Sequence, residues 1–335
     1  MLILKMFNLF KNLFISLFFI LNFTAATGNQ LDFNLWLNEF KTTARQNGIS
    51  QKTINTVLEK AIYLEKVIVY DNRQPEFFEK TNSYISKRAS KRAVKKALII
   101  LEENKLIFEK VEKEFNVDKE ILLALWSTET NFGNNLGKMD IVSSLATLSF
   151  DKRRSKFFTG ELLTLLKLID NNIIKKETLY GSWAGALGNF QFMPSSISNH
   201  AIDYDKDGYI DLKGSKIDAI ASAANYINKI GWKKNAPCFD QVIFTKEISN
   251  SFFNHSAKNI KNKKNVSYWK KIGIKFDNPI KNKINLIGAL VLPDGDDTSP
   301  KFIVYDNYEL ILKWNRSLRF GLSVCTLAEL IKNEI

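Results

Sequence analysis

Apolar residues along this chain recur first with helical spacing. Phe33, Leu35, Trp36 and Phe40, then Ile54, Val57, Leu58 and Ile62, predict helices through residues 31–70. Asp71-Asn-Arg-Gln-Pro-Glu76 interrupts them as an extended linker, because the residue before Pro75 avoids the helical region. Residues 83–115 are helical again, with Lys91, Arg92, Lys95 and Lys96 on a solvated outer face. The densest apolar run is Leu122-Leu-Ala-Leu-Trp-Ser-Thr-Glu-Thr-Asn-Phe-Gly133. Leu122, Leu125, Trp126 and Glu129 stand at i, i+3, i+4 and i+7, so one carboxylate rides on the apolar stripe of a helix. Asp118 is placed to cap that helix and Gly133 to stop it.

Ile141–Leu148, Leu162–Ile169 and Ile217–Ile230 predict further helices, the last ending at Gly231-Trp232. Gln241–Thr245, Ile284–Leu292 and Lys301–Tyr305 then read as strands, with residues 293–300 turning between the last two. The Lys- and Asn-rich residues 254–283 read as a surface excursion. Residues 307–335 return to helix, with Trp314-Asn-Arg-Ser317 at its entrance. No internal repeat is apparent.

Composition adds a compartment. Lys5 and Lys11 precede an apolar run from Leu13 to Phe23, and Thr24-Ala25-Ala26 offers small residues for cleavage. Residues 1–26 therefore read as a signal peptide, too short in its apolar part for the ~20 residues of a membrane span. A retained membrane anchor is the alternative. No cysteine lies near this segment, which excludes a lipoprotein anchor. The formal charge is +13, and removing Lys5 and Lys11 leaves 13 − 2 = +11. A basic exported protein suits an anionic polymer such as a cell wall, or an anionic membrane surface, although charge alone identifies no partner. Cys238 and Cys325 are far apart and follow no framework spacing, so they read as buried free thiols, with a disulfide, which export permits, as the alternative. His200 and His255 stand alone, and neither a zinc cluster, a Ser-His-Asp set nor a Gly-rich phosphate loop is apparent.

Four stretches could carry chemistry. A carboxylate on an apolar stripe loses hydration, which favours its protonated form and suits Glu129 to general acid work. Its other reading is a solvated residue at a fraying helix end. Arg153 and Arg154 could together face an anion at a loop end, or form a plain surface pair. Residues 180–194 combine glycines with Trp183, Phe190 and Phe192, which could stack on sugar rings or simply pack between helices. Asp203, Asp205 and Asp207, with the carbonyl of Tyr209, match the first half of a calcium loop. Gly214 stands where the bidentate Glu should be, and Asp218 could replace it. The alternative is an Asx-rich turn.

Together these stretches resemble the B-type lytic murein transglycosylases, a branch of the lysozyme-like superfamily. The resemblance runs from about residue 31 to 333. It is carried by Asn72-Arg-Gln-Pro-Glu76, Glu129-Thr-Asn-Phe-Gly133, Ala146-Thr-Leu-Ser-Phe150, Gly185-Ala-Leu-Gly188 with Gln191-Phe-Met-Pro-Ser-Ser196, Asp203–Gly208, Ala224-Asn-Tyr226, Gly231-Trp232 and Trp314-Asn315. It implies an α+β, mainly helical fold. Residues 27–100 would form a helical subdomain and 101–235 a lysozyme-like catalytic core containing the EF-hand-like loop. Residues 236–306 would form a small β subdomain and 307–335 a C-terminal helix returning to the core.

The resemblance also implies cleavage of the β-1,4 bond between N-acetylmuramic acid and N-acetylglucosamine, leaving a 1,6-anhydro ring without using water. Glu129 would be the acid/base. Ser182, Gln191, Tyr226 and Asn315 match positions around the bound sugar, with Tyr226 offering a stacking face. Arg153 and Arg154 match a basic pair for stem-peptide carboxylates. No cofactor is required for the chemistry, and a structural calcium ion would use Asp203, Asp205, Asp207, Tyr209 and Asp218. The partners implied are peptidoglycan glycan strands and cell-wall synthesis proteins, not nucleic acid, for a periplasmic monomer. Two departures stand out: Trp314 replaces the more usual Tyr, removing a hydroxyl beside the cleft, and the calcium loop has one extra residue before Asp218. A hydrolytic muramidase, using Asp140 or Glu161 to position water, is the nearest rival; a non-catalytic wall-binding protein is the other.

Overall fold

The computed structural model describes residues 30–72, 78–277, 285–295 and 299–335. The signal-peptide reading, and most of the linker at 71–76, lie outside these residues. Helices in chain order are α1 (30–46), α2 (Gln51–Thr53, running into a π turn at Ile54–Leu58), α3 (Glu65–Asn72), α4 (Thr81–Arg88), α5 (Lys91–Glu103), α6 (Lys105–Phe115), α7 (Lys119–Thr130), α8 (Ile141–Phe150), α9 (Ser155–Asp170), α10 (Pro194–His200), α11 (Lys216–Lys229), α12 (Val266–Lys271), α13 (Asp306–Trp314) and α14 (Leu318–Lys332). Strands are β1 (Met139–Asp140), β2 (Tyr180–Gly181), β3 (Phe239–Phe244), β4 (Lys264–Asn265), β5 (Ile274–Phe276), β6 (Ile287–Val291) and β7 (Lys301–Val304). The fold is α+β and mainly helical, as expected. No helix among the described residues is long and apolar enough to cross a membrane.

The chain forms two compact units, each assembled from separate stretches. The first gathers the described residues up to Asn72 with Gly137–Ala186 and Met193–Ser195; the second gathers those from 78 to Leu136 with Leu187–Phe192 and Ser196–Ile335. The expected cut at 100/101 falls inside α5, whose apolar face continues through Ala97 without a break.

In the first unit, α8 is buried from Ile141 to Ser149. Polar side chains on a helix enclosed on all sides mostly find partners, and here two of them bind the preceding loop while Ser144 Oγ finds none among the described residues. Ser143 Oγ accepts from the Ile62 amide at 3.1 Å and Thr147 Oγ1 from the Leu64 amide at 3.0 Å, which fixes the loop before α3. Phe33, Trp36, Tyr63 and Phe150 pack as one ring cluster beside it.

In the second unit, an antiparallel sheet has the order β4-β6-β7-β3-β5. Its core includes Val242, Val266, Trp269, Ile274, Leu290 and Ile303. The described part of this stretch, residues 254–277, is thus not a surface excursion: it supplies both edge strands and α12. Trp269 is fully buried, and its indole N–H donates to the Gly288 carbonyl at 3.0 Å. The few anchoring apolar residues were diluted by the surrounding Lys and Asn.

Residues 307–335 also differ from expectation. They form α13 and α14, separated at Asn315–Ser317, and Ser317 Oγ caps α14 by accepting from the Phe320 amide. Cys238 and Cys325 are not free thiols. They form a disulfide between the start of β3 and α14, with Cα atoms 6.1 Å apart and a sequence separation of 87. Packing of sheet and helix brings them together, and no local spacing records that. The bridge lines a cavity of about 650 Å³ together with Asp118, Glu120 and Trp232, and none of the sequence-predicted site residues lines it.

Candidate active site

The site is built on the C-terminal end of α7. Ile121 to Trp126 are all buried, so the helix is anchored along most of its length. Asp118 precedes it but does not cap it. Its carboxylate accepts instead from the Trp232 indole N–H at 2.7 Å and the Asn235 amide at 3.2 Å, donors the sequence could not place beside it. The helix leaves the α region at Asn131 (φ 51°), two residues before the expected stop, and Phe132 (φ 57°) and Gly133 (φ 80°) continue left-handed. Lys96 Nζ donates to the Asn131 carbonyl at 2.8 Å, placing a cation at the helix C-terminus, where the backbone dipole favours one.

Asn189 ties this end to the residues that follow Gly188. Its Oδ1 accepts from the Trp126 indole N–H at 3.0 Å. Its Nδ2 donates to the Leu212 and Lys213 carbonyls, and its own carbonyl accepts from Thr130 Oγ1 at 2.6 Å. Backbones approach so closely here that a Cβ on Gly188 would lie 2.5 Å from the Leu212 carbonyl oxygen, and one on Gly133 2.7 Å from Asn189 Oδ1. The tight packing joint was one of the two readings of this stretch. Asn189→Ala should leave a buried indole N–H and the Lys213 carbonyl without that partner, while the Leu212 carbonyl keeps the backbone N–H of residue 189. A stability loss of about 1–3 kcal/mol is expected in chemical denaturation, and an unchanged midpoint would remove Asn189 from this role.

Glu129 is half-buried at the last turn of α7, and its Oε1 accepts from the Trp314 indole N–H at 2.9 Å. Trp314 in turn stacks on Tyr226 (4.8 Å between centroids, 22°) and meets Phe192 edge-on at 5.2 Å. Tyr226 also stacks on His200 at 4.1 Å and 3°, and its hydroxyl donates to the Lys313 carbonyl. Burial holds the Tyr226 hydroxyl above its ordinary value, so it stays protonated. Its ring, expected to offer a face to sugar, is thus engaged with two protein rings. The hydroxyl that Trp314 was expected to remove is replaced by an N–H that reaches the carboxylate. Sequence reasoning missed that donor, together with Asn189, Thr130 and His200. The Trp126–Asn189 pairing had no local signal, although both residues lay in stretches already singled out.

Gln191 stands between Phe190 and Phe192, whose rings both contact Trp314. It is left-handed at φ 49°, and its Nε2 donates to the Gly188 carbonyl at 2.9 Å and the Leu136 carbonyl at 3.3 Å. Asn315 follows Trp314 in extended conformation at the α13–α14 break. Ser182, Arg153 and Arg154 belong to the first unit. Ser182 Oγ accepts from the Ala186 amide at 2.9 Å, closing a tight turn. Arg153 and Arg154 do share an anion, but it is the buried carboxylate of Asp71. Both arginine side chains remain more than a third exposed, at 47% and 37%.

The two rival water-positioning carboxylates are both engaged with backbone. Asp140 caps α8, accepting from the Ser143 amide at 2.6 Å. Glu161 is buried and accepts from the amide and hydroxyl of Ser195 at the start of α10.

In the Asp-rich loop, Asp203, Asp205 and Asp218 each bring an oxygen within 4.8 Å of the others. Asp218 is buried and accepts from the amides of Tyr204, Asp205 and Asp211. Desolvation still dominates and raises its carboxyl above the ordinary value. A buried carboxylate held by amides and aimed among two others is a donor set for a hard, oxygen-binding cation. Asp207 instead accepts from the Tyr209 amide in an Asx turn and lies outside that trio of carboxylates.

The family described as "Transglycosylase SLT domain" matches residues 32–329. The chain is similar to the membrane-bound lytic murein transglycosylase B of Escherichia coli (strain K12), with 28% identity over 296 residues, covering 85% of this chain and 79% of the relative. Among solved structures it is similar to SltB3 from Pseudomonas aeruginosa in complex with NAG-NAM-pentapeptide, at a TM-score of 0.81 and 29% identity, covering 90% of this chain and 79% of the other. It is also similar to the Escherichia coli lytic transglycosylase Slt35 in complex with calcium, at a TM-score of 0.74 and 25% identity, covering 91% and 94%.

Proposed function

We propose residue roles for a chain that belongs to the transglycosylase SLT domain family and is a peptidoglycan lytic transglycosylase. The bond cleaved is the β-1,4 link between N-acetylmuramic acid and N-acetylglucosamine. Glu129 first donates its proton to the bridging oxygen as that bond breaks. The muramic acetamido group supports the cationic centre at C1. The Glu129 carboxylate then takes the proton of the C6 hydroxyl as that oxygen bonds to C1, closing the 1,6-anhydro ring. One carboxylate thus performs both proton transfers, unlike the two-carboxylate scheme of ordinary glycosidases. What carries the assignment is the carboxylate of Glu129 itself, half-buried at the end of a buried helix with an indole N–H on one oxygen. The engagement of Asp140 and Glu161 with helix N-termini favours this reading over a muramidase. Purified sacculi digested with the full chain should release muropeptides one water lighter than reducing-end products; reducing ends alone would favour hydrolysis.

Ser182, Gln191 and Asn315 are assigned to hydrogen bonding with the sugars, and Tyr226 to bracing Trp314 beside them. SltB3 was solved with a NAG-NAM-pentapeptide, and a stem peptide brings carboxylates. Arg153 and Arg154 carry two positive charges against the one carboxylate of Asp71, so this pair retains charge to attract them. The chain acts on glycan strands in the periplasm as a monomer, reached through the signal peptide at 1–26, and there meets cell-wall synthesis proteins. The Cys238–Cys325 bridge suits that oxidising compartment.

Slt35 binds calcium, and here Asp203, Asp205 and Asp218 would hold such an ion as a structural brace. The chemistry requires no cofactor. Millimolar calcium should raise the melting temperature more than magnesium, because a flexible carboxylate site favours the larger ion. Asp203→Asn with Asp205→Asn should erase that difference while leaving cleavage largely intact. Identical melting curves with and without calcium would leave the loop as an Asx turn.

A further inference from the structure

We propose that Lys258, Lys313 and Arg316 form a carboxylate-binding pocket that holds a stem peptide of the bound peptidoglycan strand. The inference rests on the reading of the chain as a peptidoglycan lytic transglycosylase with Asn315 at the sugar. Its basis is a cavity of about 390 Å³ between residues 257–260 and the C-terminal end of α13. Glu309, Leu312 and Lys313 stand at i, i+3 and i+4 and share one face of α13, and Arg316 follows where the helix has ended. Lys258 and Asn259 come from the loop before β4. Lys263, at the end of that loop, pairs with Glu309 at 2.6 Å, which links the two walls.

The charge of the pocket is one-sided. Three cations line it, and Glu309, the acid in its lining, is already taken by Lys263. Among the described residues, the side chains of Lys258 and Arg316 have no hydrogen-bond or ion-pair partner. Lys313 makes one long contact, from Nζ to the Ile230 carbonyl at 3.4 Å. Arg153 and Arg154 differ, because they share the carboxylate of Asp71. Cations gathered without an acid repel one another, and a bound anion relieves that repulsion.

The side chains select the anion's chemistry. A guanidinium matches a carboxylate with two parallel N–H bonds, while an ammonium supplies a point charge. Asn259 adds an amide that both donates and accepts, which suits a peptide backbone. Position selects the source. Lys313 and Arg316 flank Asn315 and Trp314, which contacts Glu129. Neighbouring Cα atoms are about 3.8 Å apart, and five extended peptide residues span about 17 Å. A stem peptide on a sugar at Asn315 therefore reaches Arg316 with length to spare. Exposed ion pairs are individually weak, so the pocket adds affinity for peptide-bearing strands and takes no part in the chemical step.

The test uses the full chain carrying Glu129→Gln, so that strands are bound and not consumed. Dissociation constants are measured for soluble glycan strands with their stem peptides and for the same strands stripped of them by an amidase. Adding Lys258→Gln with Arg316→Gln should weaken binding of peptide-bearing strands by about 3–10-fold. That gap should close on stripped strands, and also at about 1 M salt, where charges are screened within about 3 Å. Lys270→Gln with Lys271→Gln on α12 removes the same charge outside the pocket and should change affinity by less than about twofold. All four side chains are exposed, so neither pair of changes disturbs the core. Unchanged affinity of the Lys258/Arg316 variant for peptide-bearing strands would overturn the proposal. So would an equal loss in the α12 pair, which would mean general charge attraction, or an equal loss on stripped strands, which would remove the peptide as the ligand. Strands that do not bind even before these changes would remove the peptidoglycan reading itself, whereas strands bound equally with and without them would remove only this pocket.

Discussion

Glu129→Gln should keep its fold and its binding to sacculi while losing cleavage. The amide of Gln accepts from the Trp314 indole through its oxygen much as the carboxylate does, so packing around α7 is preserved. It cannot give up a proton at the bridging oxygen or recover one from the C6 hydroxyl. General acid–base catalysis alone is typically worth ~10²–10⁴-fold in rate, and here one group supplies both transfers. Turbidity clearance of sacculi should fall at least to the low end of that range, with pelleting of the protein on sacculi unchanged. Clearance within a factor of a few of the parent would remove Glu129 from its role.

Removing the disulfide should have the largest effect on stability. Cys238→Ser with Cys325→Ser releases a link between residues 87 apart, and a bridge over so long a loop contributes about 2–5 kcal/mol through the unfolded chain. The link joins β3 of the sheet to α14, a helix that packs against α7. The double variant, and the parent under dithiothreitol, should therefore melt several degrees below the oxidised parent. Coincident melting of oxidised and reduced protein would show that the bridge adds nothing.

Helix α7 was readable in the sequence because its signals are local. Leu122, Leu125 and Trp126 mark one face, Glu129 falls on it, and a left-handed Asn-Phe-Gly end follows. The same holds for α8, α9, α11 and strands β3, β6 and β7, whose apolar residues recur at local spacing. What escaped was set by long-range partners. Asp118 looks like an N-cap from its neighbours, yet Trp232 and Asn235 claim it. Arg153 and Arg154 were read as open to an external anion, while Asp71, more than eighty positions earlier, already sits between them. Trp269 was invisible among lysines and asparagines because a single buried indole can anchor a segment whose average composition is polar. The donor on Glu129 was hidden for a related reason. A Trp in place of Tyr counts as a lost hydroxyl in sequence, and only the turn of the chain at Asn315–Ser317 aims its N–H at the carboxylate.

Digestion of purified sacculi in H₂¹⁸O, followed by mass analysis of the released muropeptides, tests most directly whether one carboxylate closes the ring without activating water. The new muramic acid terminus should carry the anhydro ring and no ¹⁸O, even with water in vast excess. One ¹⁸O atom at that terminus would mean that water, not the C6 hydroxyl, attacked C1, and would contradict the single-carboxylate role of Glu129.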